Sequence, residues 1–220
     1  MVQNDIQERI EKLRKLVDKY RYQYHVLNVE EITPEALDSL KRELVELEVK
    51  HPEYYDAQSP TQRVAGQALD TFSKVEHKVR QWSFNDAFTE QDIYDFHERI
   101  NRFLKRDLTT SVTYTCELKI DGLKVVLEYQ KGVLVQAATR GDGVIGEDVT
   151  HNVRTIQSIP LTLTKPYDVI IEGEVWVGKT VFEQLNKKQA ELGLDLYANP
   201  RNIAAGSIRQ LDPKIAASRK

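Results

Sequence analysis

The sequence contains one cysteine and five histidines, and it lacks any long apolar run. Because Cys116 has no partner cysteine in the chain, an internal disulfide is excluded. The histidines do not show the paired spacing of zinc motifs, so we expect no structural metal site and assign no metal ligands. The longest apolar stretches, such as residues 169–171, are far shorter than the roughly 20 residues that cross a bilayer. We therefore expect no contact with a membrane.

A strong net charge is also missing, because 31 Lys and Arg residues nearly balance 34 Asp and Glu residues and leave a formal net charge of −3. This balance alone neither favours nor rules out a polyanionic partner. The charge is unevenly spread, since residues 199–220 contain five basic residues and one acidic residue. The amino terminus lacks the apolar segment of a secretory signal, so we expect a cytoplasmic protein.

Residues 1–66 predict a small helical domain. Between residue 5 and about residue 26, apolar side chains recur every three or four positions, as in an amphipathic helix. Thr33 and Pro34 are typical of a helix N-cap and first helical position, and leucines follow at helical spacing to about residue 50. Residues 51–66 are rich in turn formers and predict a linker. Two helices joined by a short loop form a helical hairpin.

Residues 67–220 predict a second domain, of α+β class. A capping-box pattern at Thr89 and Asp92 begins a helix that continues to about residue 105. The predicted strands are residues 114–120, 123–129, 133–140 and 168–177, and the predicted helices that follow are residues 179–193 and a turn after Pro200. Residues 130–132 predict a tight turn between two of the strands. Short connections between neighbouring strands indicate a mainly antiparallel sheet.

Residues 117–122, ELKIDG, place a lysine between two carboxylates. Because side chains alternate along a strand, Glu117, Lys119 and Asp121 share one face. Two interpretations remain open at this point. The hexapeptide taken alone favours a solvated, salt-bridged strand face, whereas the alternative is a lysine that acts as a nucleophile.

A second pair of carboxylates lies in residues 170–177, IIEGEVWV. Glu172 and Glu174 share a strand face with Trp176. Two adjacent carboxylates repel each other unless the face is solvated or a cation lies between them. The large Trp176 argues against full exposure, and two interpretations stay open: an exposed strand face, or a metal ion or a lysine that relieves the repulsion.

Three glycines, Gly141, Gly143 and Gly146, formally match the dinucleotide-binding fingerprint. The fingerprint requires a strand that leads into a helix within a parallel unit, whereas the strand before Gly141 is already the second arm of a hairpin. Arg140 followed by glycines with open backbone amides would also suit a phosphate or a carboxylate. A plain flexible turn is the alternative.

Several motifs together carry a resemblance to a known family. Residues 119–122, KIDG, fit the Lys-x-Asp-Gly signature of covalent nucleotidyltransferases. In order and spacing, CELKIDGL, AATRGDGVIGEDVTHNVRTI, EGEVWV and YANPRNIAAGSIRQLDP resemble the adenylation domain of bacterial NAD-dependent DNA ligases. YQYHV, HPEY and SPTQRV resemble the amino-terminal helical domain of the same family. The resemblance implies an α+β chain with a helical domain of the NMN-binding type at residues 1–66 and an ATP-grasp-like nucleotidyltransferase domain at residues 67–220.

The resemblance implies a set of roles in the adenylation domain. Lys119 is the implied nucleophile that takes AMP from NAD, with Mg²⁺ as cofactor and Asp121 as a catalytic carboxylate of the same motif. The implied nucleotide contacts are Glu117 for adenine, Glu174 for the ribose hydroxyls, Arg140 for the ribose and phosphates, and the backbone of Ser83 and Phe84. Arg201 and Arg209 match arginines that face nicked double-stranded DNA or its 5′ phosphate. In the family cycle AMP then moves to that phosphate, and the 3′ hydroxyl displaces it.

The helical domain matches the family less closely. Tyr24, His25 and Asp38 match residues that hold the NMN half of NAD, but Pro34 and Leu37 stand where the family commonly has Asp and Tyr. A helix start at Pro34 and a core contact at Leu37 explain the same residues structurally.

Three functional hypotheses follow. The first is the adenylation part of an NAD-dependent DNA ligase, acting as a monomer with no obligate protein partner; because family members continue past residue 220, we expect this chain not to seal nicks alone. The second is a catalytically incomplete module that binds nucleotide or DNA, and an ATP-dependent relative is a variant of the first. The third is an NAD oxidoreductase built on the three glycines, which requires a parallel sheet around Gly141.

Overall fold

The computed structural model describes residues 3–25, 27, 29–64, 71–105 and 112–219. The helices are α1 (Gln3–His25), α2 (Pro34–Lys50), α3 (Glu90–Phe103), α4 (Thr150–Val153), α5 (Lys179–Glu191), α6 (Pro200–Ile208) and α7 (Pro213–Ser218). The strands are β1 (Lys74–Glu76), β2 (Leu123–Gln130), β3 (Val133–Thr139), β4 (Ile145–Glu147) and β5 (Val169–Val175). None of the helices in these ranges is both long and apolar enough to cross a membrane. The predicted division at residues 66 and 67 lies outside the described residues.

The helical pair is built as its sequence predicts. Thr33 caps α2, because its hydroxyl oxygen accepts the Ala36 N–H at 3.3 Å, and the helix starts with Pro34. One core joins α1 to α2; its fully or almost fully buried side chains are Ile10, Leu13, Val17, Leu37 and Leu44. Each such side chain contributes about 1.5–3 kcal/mol by leaving water. The burial of Leu37 confirms that it is a core residue of this domain.

The main sheet is antiparallel and has the strand order β3-β2-β5. The turn between β2 and β3 has positive φ at both central residues, 49° at Lys131 and 79° at Gly132. This geometry matches the right-handed twist of the two strands, and it confirms the predicted hairpin. One face of the sheet packs on a core formed chiefly by these side chains: Val125, Leu127, Tyr129, Leu134, Ala137, Val149, Val153, Leu161 and Ile208.

A second, two-stranded sheet was not predicted. Its strands β1 and β4 are three residues each and pair antiparallel, with Lys74 opposite Glu147 and Glu76 opposite Ile145. Strands this short show too few alternations to be recognised from sequence. The pair matters because it carries charged side chains to one edge of the main sheet.

The strand predicted for residues 114–120 is absent, so that prediction is wrong. Residues 112–121 have no regular secondary structure, and the apolar side chain of Leu118 is 87% exposed. A strand needs hydrogen bonds from a neighbouring strand, and none of the described residues pairs with this segment. The segment is rich in residues that favour strands, but this composition does not determine whether a neighbouring strand is available to pair with it.

The predicted linker contains two short 3₁₀ helices, Pro52–Tyr54 and Pro60–Val64, and it is docked against the second domain. Arg63 is 3% exposed and donates hydrogen bonds to the carbonyl oxygens of Arg154, Ile156 and Ile159 at 3.0–3.1 Å. Burial lowers the pKa of Arg63 to about 9, so the guanidinium is still charged at neutral pH. This buried cation therefore ties the linker to the loop after α4.

We expect Arg63→Ala to lower the free energy of unfolding by about 2–4 kcal/mol, because three carbonyl groups lose their donor at once. Urea denaturation followed by circular dichroism measures the change. Arg9→Ala serves as the matched control, since Arg9 forms a solvated ion pair with Glu43 at 2.7 Å and such pairs contribute about 0–1 kcal/mol. Equal losses in the two variants would contradict the role assigned to Arg63.

Candidate functional site

A cleft of about 350 Å³ opens where β2 begins, β3 ends and α6 passes. Five basic side chains line it: Lys74, Lys124, Arg140, Arg201 and Arg209. Among the described residues that line the cleft, Glu147 is the only carboxylate. The lining therefore carries an excess of positive charge, which Asp121 and Glu172 just outside it offset in part, and this excess favours an anionic ligand.

Nearby carboxylates pair with four of the five cations. Glu147 binds Arg209 at 2.8 Å and Lys74 at 3.4 Å. Asp121 binds Arg201 at 2.9 Å, and Glu172 binds Lys124 at 2.7 Å. Because most of these side chains are partly exposed, the pairs contribute little stability. Their structural effect is to give long, flexible basic side chains defined positions around the cleft.

Arg140 is the exception among the five cations. It follows the last residue of β3 and is partly buried, and its Nε atom is buried without a hydrogen-bond partner in the described part of the protein. A buried guanidinium N–H without an acceptor is costly, and a phosphate oxygen is well suited to accept from it. Arg140, the predicted phosphate contact, is therefore the one cation lining the cleft that no carboxylate of the described residues holds.

The glycine turn between β3 and β4 does not offer the open amides that we expected. Gly141 and Gly143 have φ values of 56° and 96°, which permit the tight turn. The Asp142 carboxylate accepts the N–H groups of Val144 and Ile145, both at 2.8 Å, and these bonds lower the pKa of Asp142. The turn thus supplies its own anion, and the Gly143 N–H, one of the glycine amides that we expected to be open, already donates to the Arg140 carbonyl oxygen at 3.1 Å.

The same turn rules out the oxidoreductase hypothesis. The dinucleotide fingerprint needs a parallel strand–helix–strand unit, whereas β3 lies in an antiparallel sheet and leads through the turn to β4, which pairs antiparallel with β1. The spacing of the three glycines is therefore a coincidence of sequence.

The KIDG segment reaches the cleft at its carboxyl end. Asp121 pairs with Arg201, and the Gly122 N–H donates to Glu174 Oε1 at 3.2 Å. A Cβ atom on residue 122 would lie 2.1 Å from the Val175 carbonyl oxygen, so only glycine fits between the segment and β5. These contacts fasten the segment to the sheet next to Arg201.

Lys119 is exposed and lies two residues before Asp121. Two residues of chain span at most about 7 Å, which keeps Lys119 close to the Arg201 side of the cleft. Within the described ranges, neither Lys119 nor Glu117 forms a hydrogen bond or an ion pair, and neither lines the cleft. The structure thus places the predicted nucleophile near the cations without fixing its side chain.

The repulsion between Glu172 and Glu174 is relieved by a lysine, one of the two cations that the sequence suggested. Lys124 of β2 lies opposite Glu174 and binds Glu172, and it also donates to the Trp82 carbonyl oxygen at 3.2 Å. Trp176 is 59% exposed, Glu172 is exposed and Glu174 is half-buried, so this face is largely but not fully solvated. Lys124, Lys74 and Glu147 were not predicted as site residues, because each enters the site only through strand pairing.

The remaining predicted residues do not line this cleft. Ser83 and Phe84 are exposed in a segment without regular structure, which the Lys124 bond to Trp82 holds near β2. In the helical pair, Tyr24 is partly exposed near the end of α1, and Asp38 in α2 lies 3.6 Å from Lys41. His25 ends α1, but its side chain lies outside what the structure describes.

Comparison with known proteins agrees with this arrangement. The model of the NAD-dependent DNA ligase adenylation domain matches residues 69–220, and that of the DNA ligase-like, N-terminal NAD⁺-binding domain matches residues 3–65. A protein named DNA ligase from Natranaerobius thermophilus is 48% identical over 215 residues, which cover 98% of this chain and 32% of the relative. Another from Anoxybacillus flavithermus is 46% identical over 220 residues, or 100% of this chain and 32% of the relative.

A third relative, also named DNA ligase, comes from Acholeplasma laidlawii and is 44% identical over 216 residues, or 98% of this chain and 32% of the relative. The chain therefore spans about a third of the length of these proteins. The two family matches follow the order of the structure, with the helical pair first and the antiparallel α+β domain second. Together with the cationic cleft beside the KIDG segment, they show that the chain belongs to the NAD-dependent DNA ligase family.

Proposed function

We propose that this chain carries the first step of NAD-dependent DNA ligation, in which Lys119 takes AMP from NAD. The Lys119 Nζ atom attacks the phosphorus of the adenylyl group, the N–P bond forms, and the P–O bond to NMN breaks. The lysine proton is lost, and NMN leaves with the electron pair of the broken bond. The observation that supports this proposal is that the KIDG segment, through the Asp121–Arg201 pair, adjoins a cleft lined by five basic side chains, of which Arg140 is held by no carboxylate of the described residues.

The cleft supports charge stabilisation during this attack. Negative charge on the phosphate oxygens grows or shifts as the N–P bond forms, and prearranged guanidinium groups stabilise it in a partly desolvated site. Arg140 is the cation of the cleft that no carboxylate of the described residues holds. Lys119 itself must attack as the neutral amine, and no carboxylate in the described ranges holds its ammonium form.

The nucleoside contacts follow the family pattern. We assign Glu117 to the adenine base and Glu174 to the ribose hydroxyls, and the Glu174 bond to Gly122 already fixes that carboxylate beside the KIDG segment. The backbone of Ser83 and Phe84 lies along the nucleotide, and Tyr24, His25 and Asp38 take the NMN half.

The protein contributes little to the binding of Mg²⁺. No group of three or more His, Cys, Asp or Glu side chains in the described ranges is arranged to hold a metal ion. Mg²⁺ commonly binds substrate phosphates with few protein ligands, and held by the phosphates of NAD it would neutralise part of their charge. We assign no step to a protein-bound metal.

The same cleft is suited to the next substrate, a nick in double-stranded DNA. Arg201 lies in the first turn of α6 and Arg209 directly follows its last turn, and both line the cleft. We assign them to the 5′ phosphate at the nick, which has to approach the AMP-bearing lysine. The reaction belongs to the cytoplasm, in DNA replication and repair, and the chain works as a monomer.

A second candidate function is binding without AMP transfer. One observation favours it: Lys119 is exposed in a segment that has no strand partner among the described residues. A nucleophile that is not held in line with its target loses much of the advantage of proximity. The binding module keeps the cationic cleft and predicts affinity for DNA without a covalent adduct.

We expect the mass of the intact protein to rise by one AMP after incubation with NAD and Mg²⁺, and the increase to disappear in Lys119→Ala. Lys187→Ala, which removes an exposed lysine on α5, is the control and retains the adduct. An adduct formed from ATP but not from NAD would identify an ATP-dependent relative. No adduct from either nucleotide, with DNA binding intact, would establish the binding module instead.

We expect Arg201→Ala and Arg209→Ala each to weaken binding of a nicked duplex and to reduce the slope of log K against log salt by about one, because each removes one phosphate contact. Fluorescence anisotropy over a salt series measures the slope. Arg9→Ala in α1 should leave it unchanged, since Arg9 lies in the helical pair and is bound to Glu43. Unchanged slopes in both cleft variants would remove the DNA contact from this site.

A further inference from the structure

We propose that Glu147 is a positioning residue for Arg209, holding its guanidinium so that one edge faces a phosphate in the cleft. This inference rests on the proposed DNA contact of Arg209. The two side chains meet as a fork: Arg209 Nε lies 2.8 Å from Glu147 Oε2, and Arg209 Nη2 donates to Oε1 at 3.1 Å. Two parallel N–H···O bonds fix the plane of a guanidinium as well as its distance.

Glu147 is the more firmly held partner. Its side chain is 19% exposed, against 54% for Arg209. Its backbone N–H donates to Thr139 Oγ1 at 3.0 Å, and its strand β4 pairs with β1, which brings Lys74 to the same carboxylate. Arg209 first, and Lys74 second, lower the pKa of Glu147, so the carboxylate is ionised at neutral pH. The sheet therefore provides a fixed anion against which Arg209 can be oriented.

The fork leaves Arg209 able to bind a second anion. A guanidinium has five N–H donors, and the fork with Glu147 uses two of them. The remaining donors lie on the other edges of the planar group. Since Arg209 lines the cleft, a phosphate there can accept from them while Glu147 keeps its own bonds.

The negative charge of Glu147 and its orientation of Arg209 should have opposite effects on DNA binding. A carboxylate in a cleft that binds anions repels them, so removal of its charge should strengthen non-specific binding of DNA. If Glu147 orients Arg209, the same removal should weaken recognition of one particular phosphate. A residue with only a structural or only an electrostatic role would not produce both effects together.

The test compares Kd values of the full 220-residue chain for a nicked duplex with and without a 5′ phosphate at the nick. Wild-type protein is expected to prefer the phosphorylated nick. Glu147→Gln should bind the unphosphorylated duplex about two- to fivefold more tightly, as expected for the loss of one repulsive charge in a screened site. It should also lose most of the preference for the phosphate. Arg209→Ala should lose the same preference, and the double variant should lose no more than Arg209→Ala alone.

Glu76→Gln is the matched control, because Glu76 is an exposed carboxylate of the same small sheet, two residues from Lys74. It should keep the wild-type preference. The positioning role of Glu147 is wrong if Glu147→Gln keeps the preference for the 5′ phosphate while Arg209→Ala loses it. It is also wrong if Glu76→Gln loses the preference to the same extent as Glu147→Gln. In both cases the proposed DNA contact of Arg209 is unaffected. A wild-type protein without any preference, or an Arg209→Ala variant that keeps it, overturns both.

Discussion

The register of β2 is the constraint on which the rest of the site depends. Val125 lies opposite Thr139 of β3, and Lys124 lies opposite Glu174 of β5. This pairing brings the residue after β3, Arg140, and the residue before β2, Gly122, to the same end of the sheet. A slip of one residue would turn every side chain of β2 to the other face and would remove Lys124 from Glu172. The register of the sheet therefore determines the spacing of the charged side chains around the cleft.

Ion pairs then determine the electrostatic properties of the cleft. Carboxylates hold four of the five cations that line it, while Arg140 keeps a buried donor without an acceptor. The paired cations are oriented but only partly neutralised, because the exposed pairs are screened by water. The ion pairs give these side chains preferred positions, which lowers the entropy that they lose when a phosphate binds. The carboxylates that orient the basic side chains thus connect the fold to the proposed binding of phosphate.

Features set by local sequence were predicted well. The caps at Thr33 and Thr89, the apolar spacing of α1 and the positive-φ turn at residues 131–132 all depend on residues a few positions apart. Features set by distant pairing were not. The strand expected at residues 114–120 needs a partner strand, and the Lys74–Glu147 pair joins residues 73 positions apart. Composition can indicate that a segment is suited to a sheet, but it cannot say which segment will pair with it.

The predicted site residues also form two groups: those that the structure brings together, and those whose contacts with a ligand stay predictions. Arg140, Arg201 and Arg209 do come together in the cleft, and Asp121 and Glu174 fasten the KIDG segment beside it. The roles of these residues were implied by resemblance, whereas their partners became visible only in three dimensions. The nucleoside and NMN contacts remain predictions, because no contact in the described ranges tests them.

The central claim is that the unpaired Arg140 makes this cleft a site for a nucleotide phosphate. Isothermal titration calorimetry with NAD tests it most directly, using the wild-type chain, Arg140→Ala and the exposed α3 variant Arg99→Ala. We expect Arg140→Ala to weaken NAD binding by about tenfold or more, as for the loss of a charged hydrogen bond, and Arg99→Ala to bind NAD as the wild type does. Equal affinity of Arg140→Ala and wild type for NAD would contradict it.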